Sequence, residues 1–146
     1  MKKIAVACDH GGYELKLEII AKLKELGHEV VDFGCDSADA VDYPIYAAKV
    51  CDAIVSEEAD LGILTCGTGI GMSMAANKRV GIRAACCSDM FSTKMTRMHN
   101  DANVLCLGGR VVGPGLACDM AELFINTGFM GDKHERRIAM FDETRR

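Results

Sequence analysis

The segment Cys66-Gly67-Thr68-Gly69-Ile70-Gly71 concentrates residue types that chemistry needs. It follows an uncharged apolar run and leads into a helix-period stretch. Its backbone N–H groups should therefore converge at a helix N-terminus, where negative charge is favoured. Glycines at 67, 69 and 71 let the main chain approach a ligand closely. A thiol beside such an anion-stabilising turn is expected to carry thiolate character at neutral pH. It could be a nucleophile, or a general base taking a proton next to a carbonyl while the neighbouring N–H groups hold the enediolate charge. No acyl-transfer triad accompanies it. On the residues alone the plainer reading also stands: a tight turn with one more buried cysteine among eight. The spacing G-x-G-x-G, with Met72 next, falls one residue short of the dinucleotide fingerprint, although Asp89 stands 20 residues beyond Gly69, as a ribose-binding acid would.

Asp9-His10-Gly11-Gly12 closes the first apolar run. An Asp beside a His offers proton transfer or a metal contact, or simply a cap for the helix beginning near Glu14. His99-Asn100-Asp101 ends a helix-period stretch, where a His serves acid–base chemistry or is only dipole-stabilised and solvated. Gly108-Gly109-Arg110 follows the last apolar run. Lys133, His134, Arg136 and Arg137 crowd one helix turn; positions 133 and 137 share a face and Arg136 points elsewhere. Such a run is a wet surface or, in an acidic protein, a place for a phosphate.

Elements must hold these residues, and the chain alternates short apolar runs with helix-period stretches. Ile4-Ala5-Val6-Ala7-Cys8, Val30-Val31-Asp32-Phe33, Leu61 to Thr65, Ile82 to Cys87 and Val104 to Leu107 are expected strands. Leu15, Ile19, Leu23 and Leu26 recur at helical spacing before Gly27, which supplies a stop. Further helices are expected after Asp42-Tyr43-Pro44 with Ala48, Ile54 and Val55 inward, through Asn77, over Ser92–His99, around Leu116–Ile125 and from about residue 133. Five strands alternating with helices require crossovers, hence a parallel sheet covered on both faces. The expectation is one α/β unit over residues 1–146, a doubly wound, Rossmann-like three-layer sandwich with a five-stranded sheet. Ligands of such sheets collect beyond the strand carboxyl ends. That rule selects Cys8–Gly12, Phe33–Tyr43, Cys66–Gly71, Cys87–Asp89 and Gly108–Arg110, and His99-Asn100-Asp101 is expected on the same rim.

Composition narrows the classes. With 146 residues, 49% apolar and 26% charged, the chain can fill one core, which excludes disorder throughout. A formal net charge of -4 and 5% aromatics without Trp argue against a nucleic-acid partner. Cysteines 8, 35, 51, 66, 86, 87, 106 and 118 form no C-x-x-C pair and no zinc-type array with histidine. Reduced thiols in a cytoplasmic protein, with no metal, are expected. Five apolar residues before Asp9 are too few for a signal-peptide core, and the uncharged residues 61–76 fall short of a membrane span of about 20 residues.

Taken together, the motifs resemble the type B ribose-5-phosphate isomerases, a family that also holds the galactose-6-phosphate isomerase subunits. The matching blocks are Asp9-His10-Gly11-Gly12, Asp42-Tyr43-Pro44, Cys66 to Gly71 with Ala75-Ala76-Asn77-Lys78, Gly81-Ile82-Arg83-Ala84, His99 to Val104, Gly108 to Gly113, and His134 with Arg137. They run in family order over nearly the whole chain. The resemblance implies an aldose–ketose isomerase interconverting ribose 5-phosphate and ribulose 5-phosphate without metal or organic cofactor. It implies a homodimer, in some cases a dimer of dimers, whose active sites draw residues from both subunits.

The resemblance also implies roles. Cys66 would move the proton between C2 and C1; members lacking this cysteine use a glutamate just after the loop, where this chain has Met72-Ser73. His99 would protonate the furanose oxygen, with Asp9 assisting at the hydroxyl being deprotonated. Gly67, Thr68, Gly69, Ile70, Gly71 and Asn100 would surround the enediolate. His10, Arg110 and Arg137 match phosphate contacts, and Tyr43 matches a pocket wall. Lys133 stands where the family commonly has Arg, which keeps the charge and loses the bidentate fork. The rival readings are an isomerase for galactose or allose 6-phosphate, a nucleotide-binding module gripping a dinucleotide by the glycine loop, and a catalytically silent phosphosugar sensor. Cys66 together with His99 argues against the sensor.

Overall fold

Strands form here where apolar runs can be covered from both sides. In the computed structural model, which describes residues 1–142 and leaves the last four of the expected unit outside, β1 (Lys3–Cys8), β3 (Leu61–Cys66) and β5 (Val104–Gly108) are buried along almost their whole length. They form the centre of a parallel sheet, which demands apolar residues on both faces. The edges are β2 (Glu29–Asp32) and β4 (Ala84–Cys86), both partly exposed. The order is β2-β1-β3-β5-β4, with every pair parallel.

Crossover helices cover the two faces. On one side lie α1 (Tyr13–Glu25), α4 (Met90–Asn100) and α5 (Pro114–Asn126), burying Ile19, Leu23, Met120 and Phe124 against Ile4, Ile63 and Leu105. On the other lie α2 (Tyr43–Val55) and α3 (Ile70–Ala76), packed on Ala5, Leu64 and Cys106. Each fully buried Leu, Ile or Phe contributes about 1.5–3 kcal/mol. A final helix, α6 (Lys133–Asp142), rests on α4.

Two local expectations need correcting. The buried face of α2 is Ala47, Val50, Cys51 and Ala53, with Ile54 packed against the core as expected, whereas Ala48 is only partly covered and Val55 is 57% exposed. The helix is turned so that Val50 and Ile54 lie over Gly62, where a Cβ would come within 2.6 Å of Val50 Cγ1. The missing side chain at Gly62 sets the rotation. Second, β4 begins at Ala84 rather than Ile82, because side chains take the neighbouring backbone groups. Asn103 Oδ1 accepts the Arg83 N–H, and the Asn77 amide both accepts from the Ala84 N–H and donates to its carbonyl, each at 2.8 Å.

Candidate active site

The chain leaves β1 toward β2 on one side and later continues from β3 toward β5 on the other. Such a switch opens a crevice beyond the carboxyl ends of β1 and β3. Cys66 is the last residue of β3, 5% exposed, and its sulfur accepts the Gly69 N–H at 3.0 Å. Gly69 has φ +81, and a Cβ there would lie 3.0 Å from the Leu107 carbonyl carbon and 3.1 Å from Cys86 Sγ. Only glycine turns the chain so that this N–H faces back to the sulfur. The next amide, of Ile70, donates to Thr68 Oγ1 at 3.3 Å. Two of the turn's N–H groups are thus engaged by its own side chains, while Thr68 and Ile70 stand exposed at the mouth.

Asp9 faces this turn. It is 7% exposed, and its Oδ1 accepts the Gly11 N–H at 2.8 Å, capping the 3-10 turn His10–Gly12. Capping and proximity to the sulfur loop go together: a Cβ on Gly11 would sit 2.8 Å from the Gly67 nitrogen and 3.3 Å from the Asp9 carboxylate. The loop after β5 closes the other side. Gly109 N–H donates to the Cys66 carbonyl (2.8 Å), Arg110 N–H donates to the Gly67 carbonyl (3.0 Å), and the Arg110 guanidinium lies over Gly67. The Tyr43 ring covers Gly71, where a Cβ would come within 2.9 Å of it. His10 is exposed, and its Nδ1 accepts the Val41 N–H at 3.3 Å. Asp9, His10, Tyr43, Cys66 to Gly71 and Arg110 therefore share one rim.

His99 and Asn100 do not join them, which corrects the expected placement. A crossover helix runs back against its strands, so α4 starts beyond β4 and ends before β5 begins. Val104 opens β5 opposite Gly62 and Ala84, at the amino ends of β3 and β4, whereas Cys66 lies opposite Gly108. At about 3.3 Å per residue, His99 lies beyond a strand length of roughly 13 Å from the sulfur within one chain. The end of α4 is fixed there by Asp101, whose carboxylate accepts from Arg97 (2.9 Å) and Arg83 (3.0 Å). The α6 cations follow it. The His134 ring stacks on His99, with centroids 4.3 Å apart and planes 11° off parallel. Lys133 and Arg137 are exposed on the same helix. Burial holds the His134 pKa below its ordinary value, and the His99 imidazole pushes the same way.

Cys8, Cys35, Cys51, Cys87 and Cys106 behave as buried hydrophobes, whereas Cys86 is exposed and Cys118 half-buried. Burial pushes Cys8 up to about 12 and Cys51 to about 11, and Cys106 well above the ordinary thiol range. Sequence reasoning gave Lys16, a lysine 1% exposed, no role, and it read His134 only within the basic run of α6, not as the ring stacked on His99. The spacing of Lys16 with Ile19 and Leu23 places it on the inward face of α1, and that was the available signal.

A doubly wound α/β protein with a thiol, a carboxylate and a guanidinium at its switch-point crevice is built as a small-molecule enzyme. The Ribose/Galactose Isomerase family profile matches residues 4–141, and the chain belongs to that family. It is 49% identical to the ribose-5-phosphate isomerase B of Escherichia coli over 138 residues, 94% of this chain and 93% of that one. The structure resembles the Thermotoga maritima ribose 5-phosphate isomerase with a TM-score of 0.96 at 50% identity, covering 98% of this chain and 99% of that one. A galactose-6-phosphate isomerase subunit from Clostridium acetobutylicum is 36% identical over 92% of this chain and 78% of its own. The dinucleotide reading of the glycine loop yields to this assignment. Among the described residues, no helix is long and apolar enough to cross a membrane.

Proposed function

We infer that the chain is an aldose–ketose isomerase acting on D-ribose 5-phosphate and D-ribulose 5-phosphate. The observation that carries this is the Cys66 sulfur, held at the switch-point crevice by the Gly69 N–H, in a chain about half identical to ribose-5-phosphate isomerases. The Gly69 N–H fixes the direction in which the sulfur faces. In the forward direction, Asp9 takes the proton of the C1 hydroxyl while His99 protonates the ring oxygen, and the furanose opens to the aldehyde. Cys66 then removes the C2 proton. The electrons move onto the C1 oxygen, giving an enediolate held by the Gly67–Gly71 turn, with Thr68 at its mouth, and by Asn100. Transfer of the C2 hydroxyl proton to the C1 oxygen and return of the proton from Cys66 to C1 yield the ketose, and Asp9 and His99 regain their starting states by proton exchange with solvent. His10, Arg110, Arg137 and Lys133 hold the phosphate, and Tyr43 walls the pocket.

These roles require two subunits. His99, Asn100, Lys133 and Arg137 lie on the rim opposite Cys66, and a homodimer brings the α4–α6 edge of one subunit to the sulfur of its partner. A dimer of dimers keeps the same pairing. A cytoplasmic location belongs to the same reading: the cysteines show no C-x-x-C pair and no zinc-type array, and reduced thiols suit a reducing compartment.

The direct test follows ribulose 5-phosphate formation by purified protein, with chelator present, against galactose and allose 6-phosphates. Turnover of the pentose far above both hexoses is expected. A preference for galactose 6-phosphate, which the 36% identical subunit keeps in view, would reassign the substrate.

A further inference from the structure

Lys16 is among the most deeply buried charged groups, and the reaction as described does not use it. Its ammonium donates to both oxygens of Asp32, at 2.8 and 2.9 Å, and to the Cys35 carbonyl at 2.7 Å. Those three bonds use all of its donors. The Tyr13 ring lies 5.6 Å from the nitrogen. Asp32 ends β2, and its Oδ1 also accepts the Gly34 N–H at 2.9 Å. Residues 34 and 35 are in turn stitched to the last residue of β1: Cys8 N–H donates to the Gly34 carbonyl (2.7 Å) and Cys35 N–H to the Cys8 carbonyl (3.0 Å). Cys8 is the residue before Asp9. The same segment runs on to Val41, which donates to His10 Nδ1, and to Tyr43, which covers Gly71.

A buried ammonium is costly unless each donor is met, so its presence here needs a reason that an apolar residue would not supply. We propose that Lys16 is a positioning residue: by clamping Asp32 and the Cys35 carbonyl it fixes the 34–43 segment and sets the placement of His10 and Tyr43 against the substrate. This deepens the proposed isomerase reading and rests on His10 being a phosphate contact. It also assigns the tautomer of His10. Nδ1 accepts from Val41, so in the neutral ring Nε2 carries the proton.

The test compares Lys16→Met, which keeps the length and removes the three donors, with the double variant Lys16→Met/Asp32→Asn, which leaves no carboxylate without its partner. Folded variants should show KM for ribose 5-phosphate, and the inhibition constant of inorganic phosphate, raised about fivefold to tenfold with kcat within about twofold. Lys16→Arg should recover part of the loss. A purely structural lysine would lower Tm and leave KM and phosphate inhibition unchanged, and that result in a folded variant overturns the proposal. If neither Met variant folds, Asp32→Asn alone decides it in the same direction, since Asp32 is about one-third exposed and the change is isosteric. The nitrogen-15 spectrum of the His10 ring separates two failures. Unchanged KM with shifted His10 signals rejects His10 as a phosphate contact, whereas unchanged KM with unshifted signals rejects Lys16 as its positioner.

Discussion

Complementation between two inactive variants tests the shared site most sharply. Cys66→Ala removes the proposed base from one rim, and His99→Asn removes the proposed ring-opening acid from the other. Loss of either group should lower turnover on cyclic substrate by about a hundredfold or more. Within one subunit the two side chains are separated by at least the length of β5, roughly 13 Å, too far for both to reach one sugar carbon chain. In a dimer with one subunit of each kind, one site contains both lesions and the other contains neither. A heterodimer purified through two different tags should therefore show about half the wild-type activity, and a randomly exchanged mixture about one quarter, because half of its dimers have one intact site. The assay is ribulose 5-phosphate formation per active dimer, with each parent as the baseline. A purified heterodimer no more active than the better parent would refute the shared site. Full activity in a protein that sediments as a monomer would refute it equally.

Three further outcomes are expected. Cys66→Ala should keep binding phosphosugars, so a competitive sugar phosphate should saturate it near its wild-type concentration; near-normal turnover would remove Cys66 as the base. His134 has its pKa held below 6.5 by burial first and by His99 next, with Lys133 and Arg137 adding and Asp132 opposing. The unfolded chain then binds more protons there than the folded one, so the stability linked to His134 is complete above about 6.5 and is lost as pH falls through that value toward the lower folded pKa. His134→Phe keeps a ring to stack without titrating, and its Tm should fall less than wild type between about pH 7.5 and 5.5; parallel falls would contradict this. Gly12→Ala would place a Cβ 2.4 Å from the Thr65 carbonyl carbon, backbone against backbone. It should cost about 1–3 kcal/mol and several degrees of Tm, and an unchanged melting curve would mean that the two loops separate freely.

Much of the fold was legible because the strands are short, apolar and separated by turns whose chemistry is local. The 61–66 run and the glycines after it announce a strand and a tight turn in any context, and β3 and α3 form there. The α2 face was misread at Ala48 and Val55 because the helix rotates to lay Val50 and Ile54 on Gly62, a packing partner in the next strand. The β4 start was misread because Asn77 and Asn103 take its neighbouring backbone groups from outside the run. The rim after β1 and β3 was legible from the rule that ligands collect at strand carboxyl ends. His99 was not placed correctly, although the reversal of direction along a crossover helix contains the answer.

By itself, the order of residues determined the elements, their parallel pairing and the presence of a thiol, a carboxylate, imidazoles and cations able to open a sugar and move a proton. Those follow from period, side-chain volume and local backbone preference, which act over a few residues. Tertiary structure alone decided that His99 stacks on His134 at the far rim and that Lys16 is buried beneath the 34–43 segment. Such relations join residues tens of positions apart, and they exist only once the sheet order and the packing of each helix are set.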